Sequence, residues 1–254
     1  MSNLEAAAGY GLAVAASLVV GAGAAALLRL PSRVAAGLTA FGGGILLAAV
    51  ALELVPDADR GAGPALTAAG LLAGTLVYVA ADAWLNRDPG MKTMRRAGHA
   101  AGAGEPMDMP EDAETARGES IAVGIFVDGV PESVALGLTV AEGEVGLALL
   151  AGILLGNVVE AYGAGQPIIA GGHTRRFAVV LLTLIGFALA FATVLGGTVL
   201  AAASPALIGT AEAIAAGAVL AVVSIAIVPH AYKEVSGMVA AATVLGFIAG
   251  YLLS

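Results

Sequence analysis

Eight apolar stretches of about 20 residues alternate with short polar segments along the chain. Each is long enough to cross a hydrocarbon layer of roughly 30 Å, because an α-helix rises about 1.5 Å per residue. The predicted spans are 6–28, 34–55, 65–86, 120–141, 146–169, 177–202, 207–230 and 235–253. The pattern therefore predicts an all-α integral membrane protein of eight transmembrane helices, in which residues 1–254 form a single transmembrane domain.

Most of the predicted connections are short turns, among them residues 56–59, 141–144 and 171–174. Only the connection 87–119 is long. It mixes Gly, Pro, Met and charges of both signs without an apolar period, which is typical of a flexible loop. We expect no compact domain outside the membrane.

Basic residues predict the orientation, since Lys and Arg near span ends are retained on the cytoplasmic side. All but one of the eleven lie in the connections after spans 1, 3, 5 and 7, and the exception is Arg60. These connections share one face of an eight-helix bundle. The loop 87–119 is therefore predicted to be cytoplasmic, and both termini extracytoplasmic, in a multi-pass protein of the cell membrane.

The composition agrees with lipid as the solvent and excludes several functions. Of the 254 residues, 59% are hydrophobic and 12% charged, about half the charged fraction of a typical soluble domain. The chain has no cysteine, which excludes disulfides, thiolate metal sites and cysteine nucleophiles. A net charge of -8 without a basic face argues against a nucleic-acid partner.

Polar residues in the middle of spans 4 and 5 are the candidate functional site. Asp128 and Glu132 lie four residues apart in span 4, and Asn157 and Glu160 lie three apart in span 5. Each pair shares one helix face. A tight turn joins the two spans, so we expect antiparallel neighbours whose polar faces form one oxygen-lined site. Pro131 is expected to break span 4 beside it.

Charge at this depth needs compensation, because an ionisable residue near the bilayer centre costs roughly 2.5–3.5 kcal/mol. No Lys or Arg occupies the centre of any span. The remaining ways to compensate the charge are a bound cation, protonation or a water-filled path. For a single carboxyl, the alternative is a protonated side chain that only packs against a neighbouring helix. Carboxylate and amide oxygens favour hard divalent cations.

Three further polar residues are less informative. Glu53, near the outer end of span 2, is interpreted as a solvated helix end, with cation attraction as the alternative. Glu212, at the outer start of span 7, is interpreted as a helix N-terminal charge. Gln166 either lines the inner half of an ion path or forms a hydrogen bond with the backbone of a neighbouring helix.

These residues resemble the ZIP (Zrt/Irt-like) divalent metal transporters. The layout of eight spans with a long loop between spans 3 and 4 is similar, and so is the segment from Gly42 to Pro56. The family's span 4 reads His-Asn-x-Pro-Glu-Gly, and here Pro131 and Glu132 match it while Asp128 stands at the His position. In span 5 Glu160 matches the family's Glu, and Gly156 replaces its His.

The resemblance implies uptake of a divalent metal towards the cytoplasm by a homodimer, with Asp128, Glu132, Asn157 and Glu160 as ligands. The metal is then the substrate, zinc or another transition metal, and no cofactor is expected. Loss of both histidines shifts the expected site towards oxygen ligation. A non-transporting sensor or interaction protein and a proton-linked transporter of another solute are the alternatives. We do not expect an enzyme, because no nucleophile system or metal-ligating His pair is present in the sequence.

Overall fold

The computed structural model describes residues 2–85, 87, 118–143, 145–200, 203–235 and 237–254, and every regular element in these ranges is a helix. Residues 88–117, most of the predicted loop, lie outside the described residues. The helices are α1 Asn3–Leu27, α2 Ser32–Ala49, α3 Val55–Ala62, α4 Pro64–Leu85, α5 Gly118–Glu142, α6 Leu147–Ala170, α7 Arg175–Val199, α8 Pro205–Val222, α9 Val228–Val235 and α10 Met238–Leu253. Two π-helical turns, Val50–Leu54 and Val223–Ile227, join α2 to α3 and α8 to α9.

Six helical stretches in the described part of the chain are long and apolar enough to cross a membrane. They are Asn3–Leu27, Arg33–Ala62, Pro64–Trp84, Leu147–Ala170, Arg175–Val199 and Pro205–Ile227. Helices α5 and α10 coincide with predicted spans 4 and 8 but fall outside this set, and α10 has only 16 residues. The chain is therefore a multi-pass, all-helical membrane protein.

The prediction of a turn at residues 56–59 is wrong, because the helix continues to Ala62 and the chain reverses at Gly63 with φ +80°. A proline inside an α-helix lacks an N–H and clashes with the carbonyl four residues earlier. Here a π turn precedes Pro56, and the Val55 N–H bonds the Val50 carbonyl across its wider ring. The same arrangement precedes Pro229, where the Val228 N–H bonds Val223.

The helices pack as two equivalent sets. The contact between α2 and α10 corresponds to the contact between α8 and α4. The contact between α1 and α6 likewise corresponds to the contact between α7 and α5. Helices α1 and α7 pack against each other, and so do α5 and α6. Exchanging α1–α4 with α7–α10, and α5 with α6, therefore reproduces most of the helix contacts, apart from the contact of α10 with α6. Helices α5 and α6 are the pair at the centre of this exchange.

Glycines at equivalent positions allow these helices to approach closely. A Cβ added to any of four glycines would collide with a backbone carbonyl of the opposing helix. Such small-residue contacts are typical of helix packing in membranes. The contacts pair Gly44 with Thr243 and Gly246 with Phe41 between α2 and α10, and Gly217 with Leu71 and Gly74 with Ile214 between α8 and α4.

We expect Gly74→Ala and Gly246→Ala to destabilise the protein to a similar extent, by about 1–3 kcal/mol each, because the added methyl group overpacks the helix contact. Thermal unfolding in detergent measures this. Gly23→Ala is the matched control, since its Cβ would meet nothing within 4 Å and the alanine favours the helix. Equal stability of all three variants would contradict the close packing.

Candidate functional site

Three polar side chains of α5 are buried within one and a half turns of each other. Asp128 and Glu132 are each 3% exposed and Ser133 is 1% exposed. They lie in a continuous helix, so the expectation that Pro131 breaks span 4 is wrong. Pro131 still lacks an N–H, and it cannot bond the Val127 carbonyl in the helical pattern.

Asp128 is held by a tyrosine from another helix. The hydroxyl of Tyr78, on α4, donates a hydrogen bond of 2.7 Å to Asp128 Oδ1, and both side chains are buried. Glu132 lies close enough to Asp128 for the two charges to interact. No described Lys or Arg forms an ion pair with Glu132. The strongest charge that acts on this buried carboxyl therefore has the same sign as its own.

The two predicted ligands of α6 differ in their surroundings. Asn157 is 2% exposed, and its amide nitrogen has no hydrogen-bond partner in the structure. Glu160, one turn further along α6, is half-buried. Because no bond fixes the amide through its nitrogen, either end of Asn157 is able to face a ligand.

Ser133 and Asn157 occupy equivalent positions of α5 and α6. A Cβ on Gly21 of α1 would meet the Val158 carbonyl, and a Cβ on Gly196 of α7 would meet the Val134 carbonyl at 2.8 Å. Asn157 and Ser133 directly precede these two valines. The Ser133 hydroxyl, like the Asn157 nitrogen, is buried without a hydrogen-bond partner. The equivalence therefore places two unsatisfied polar groups on the two central, contacting helices.

The structure brings together fewer carboxyls than the sequence analysis predicted. Among the residues that the structure describes, no three His, Asp or Glu side chains are close enough to share one metal ion. Helix α5 contacts α6 but packs more extensively against α7. The grouping of Asp128, Glu132, Asn157 and Glu160 as one metal site stays a prediction.

Glu53 and Gln166 both bond the ends of neighbouring helices. The Glu53 carboxylate accepts hydrogen bonds from the backbone N–H groups of Ala148 (3.2 Å) and Leu149 (3.0 Å), in the first turn of α6. A carboxylate stabilises a helix N-terminus in this way, so the interpretation of Glu53 as a solvated helix end is wrong. The Gln166 amide donates to the Ala25 carbonyl at 3.1 Å, which confirms its backbone-bonding role.

Glu212 has a different position from the one expected. The first turn of α8 contains no acidic residue, and Glu212 lies about two turns into the helix. Its side chain is fully buried, with 0% exposed. The interpretation of Glu212 as a helix N-terminal charge is therefore wrong.

Sequence reasoning missed Tyr78 and Ser133. Tyr78 lies between apolar residues of α4, with Val77 before it and Val79 after it, and its hydroxyl in this setting was the available signal. Ser133 directly follows Glu132 and replaces the glycine of the resembling motif, but nothing in the sequence shows that its hydroxyl is unsatisfied. Comparison with known proteins adds no assignment: no protein-family model matches the chain, and no curated protein is significantly similar to it.

We expect Tyr78→Phe to lower the stability by about 1–3 kcal/mol, because it removes one hydrogen bond from a buried carboxyl. Thermal unfolding in detergent measures the change. Tyr251→Phe is the matched control, since Tyr251 is 60% exposed and should be nearly neutral. A Tyr78→Phe variant as stable as the wild type would show that this hydroxyl does not support Asp128.

Proposed function

We propose that the protein is a permease that moves a divalent cation towards the cytoplasm through a site between α5 and α6. Glu132 provides the central carboxylate, and the side chains of Asn157 and Ser133 complete the ligands around it. Asp128, oriented by Tyr78, adds negative potential beside Glu132. Glu160 extends the same polar face along α6.

The observation that carries this proposal is the set of unsatisfied polar groups on the two central helices. Glu132 is buried beside a second carboxyl, and the Ser133 hydroxyl and the Asn157 amide nitrogen have no partners. A buried polar group without a partner costs about 1–3 kcal/mol, and more when charged. Two unpartnered polar groups and two neighbouring carboxyls of like charge are therefore arranged at a cost that a bound cation would offset.

The architecture supports transport. Transporters are commonly built from two related halves, and their ion sites lie near the middle of the membrane where the halves meet. Helices α5 and α6 occupy the corresponding central place in the two equivalent sets of this chain. We infer eight spans, with α5 and α10 as the fourth and eighth, and therefore opposite orientations for the two sets.

Charged residues at the two ends of the bundle support the proposed orientation. Arg29 and Arg175 line one surface pocket together with Gln166, at the end where the sequence analysis places the cytoplasm. At the opposite end of the bundle, the charge of Glu142, the last residue of α5, repels the charge of Glu212. We propose that this acidic end is extracytoplasmic, with both termini on the same side.

The proposed ligands favour a hard or borderline cation. All are oxygen donors, and Mg²⁺ and Mn²⁺ are commonly bound by one or two carboxylates with water completing the shell. This fits the part of the chain that the structure describes, in which two acidic side chains come together at this site and a third does not join them. The resemblance to ZIP transporters supports metal uptake across a cell membrane by a homodimer, with zinc, iron and cobalt as further substrates to test.

Glu132→Gln should abolish cation flux, because the isosteric amide removes the charge that compensates the ion. The measurement is uptake of Mn²⁺, Zn²⁺, Cd²⁺, Co²⁺, Fe²⁺ and Mg²⁺ into proteoliposomes that contain purified protein. Glu5→Gln is the matched control, since Glu5 is exposed and the glutamine preserves its capping box.

Wild-type flux in Glu132→Gln would contradict the assignment of the site. Flux that follows a pH gradient and ignores every metal would instead support proton-linked transport of another solute. No flux of any kind would support a non-transporting sensor.

Ser133→Ala should reduce the apparent affinity for the cation about 3- to 10-fold while leaving stability equal or slightly higher, because an unpartnered buried hydroxyl destabilises the fold. The measurements are the KM of flux and the midpoint of thermal unfolding. A merely structural role predicts the reverse, namely lower stability with an unchanged KM.

A further inference from the structure

Glu212 is a buried carboxyl that the proposed mid-membrane site does not use. It is 0% exposed, and neither of its oxygens has a hydrogen-bond partner in the structure. A buried carboxyl normally receives hydrogen bonds or pairs with a base. The polar group that acts most strongly on Glu212 is another carboxyl, Glu142, so the two carboxyls share either a proton or a cation. An unsatisfied carboxyl in this position therefore points to a missing positively charged partner.

The surroundings of Glu212 come from the ends of two other helices. Helix α3 lies directly against α8, since a Cβ on Gly209 would meet the Ala58 carbonyl at 2.7 Å and the Ala62 nitrogen at 2.9 Å. The charge that acts most strongly on Glu212 is Glu142, at the exposed end of α5. The structure thus places a second, exposed carboxyl near Glu212.

A nearby arginine does not neutralise this pair. Arg60 forms an ion pair with Asp57, three residues before it in α3. Its side chain is 73% exposed, and its attraction for Glu212 is weaker than the repulsion from Glu142 and Asp57. The electrostatic potential at Glu212 is therefore negative, which favours a bound cation.

We propose that Glu142 and Glu212 form a second, outer site that binds a divalent cation, with Asp57 adding attraction from α3. Two carboxylates with water completing the shell are sufficient for a hard divalent ion. Glu142 is exposed and accessible to an ion from outside, and Glu212 provides the buried, dehydrated half of the site. The inference rests on the proposed function for its role, as the first binding position of a cation on its way to Glu132.

The test is equilibrium binding of Mn²⁺ to purified full-length protein in detergent, followed by the loss of the electron paramagnetic resonance signal of the free ion. We expect the wild type to bind about two Mn²⁺ per chain and Glu212→Gln about one. Glu142→Gln should weaken the same site at least about tenfold. Since Glu142 is exposed, this variant keeps the test valid if Glu212→Gln fails to fold.

Asp59→Asn is the matched control, because Asp59 is an exposed acidic residue of α3 and the change removes the same charge. Binding by Asp59→Asn should equal that of the wild type. Unchanged stoichiometry and affinity in both Glu142→Gln and Glu212→Gln would overturn the proposal, and so would an equal loss in Asp59→Asn.

Glu132→Gln distinguishes the outer site from the mid-membrane site. This variant should lose one Mn²⁺ and retain the ion that Glu142 and Glu212 bind. Full binding in Glu132→Gln, combined with the loss of one ion in Glu212→Gln, would support the outer site and contradict the mid-membrane site. Absence of Mn²⁺ binding in the wild type would contradict both.

Discussion

Burial of negative charge in a lipid-facing bundle is the constraint on which the functional interpretation depends. An ionised carboxyl in hydrocarbon needs a base, a proton, water or a metal ion as its partner. Helices α5 and α8 carry buried acidic side chains, and the charges that act on them come mainly from other carboxyls. We propose that this arrangement favours the binding of positive charge at two positions in the bundle.

Close glycine packing makes this arrangement possible. Because glycines let α1 and α7 approach α6 and α5 at the level of the backbone, the central helices are held from both sides by equivalent contacts. The Ser133 hydroxyl and the Asn157 amide nitrogen therefore lie at matched positions, and neither has a hydrogen-bond partner in the structure. An apolar pair at these positions would pack without that cost, and the polar groups are better explained by a ligand than by stability.

The sequence predicted the positions of the helices well, since long apolar stretches have few alternatives in lipid. It failed where local geometry depends on tertiary packing. Pro56 signalled a turn, but the preceding π turn lets the helix continue through it. Glu53 and Glu212 were predicted to lie at span ends, yet they lie inside longer helical stretches and their neighbours come from helices distant in sequence. No local pattern reveals that Glu53 caps α6 or that Glu212 faces Glu142.

Spacing along a helix predicts which candidate residues share a face, and it does not predict how packing groups the helices. Spacing showed that Asp128 and Glu132 share a face, and burial agrees with this. The contributions of Tyr78 and Ser133 depend on how α4 and α7 lie relative to α5, which spacing along one helix does not encode. The absence of a third nearby acidic side chain among the described residues is likewise a property of helix packing.

The most direct measurement of the central claim is anomalous X-ray scattering from crystals of the protein grown with Mn²⁺. If the proposed site binds the cation, we expect a peak between α5 and α6, within ligand distance of the Glu132 carboxylate and next to Asn157 and Ser133. Bound Mn²⁺ elsewhere in the protein, with no density beside Glu132 at saturating Mn²⁺, would contradict it.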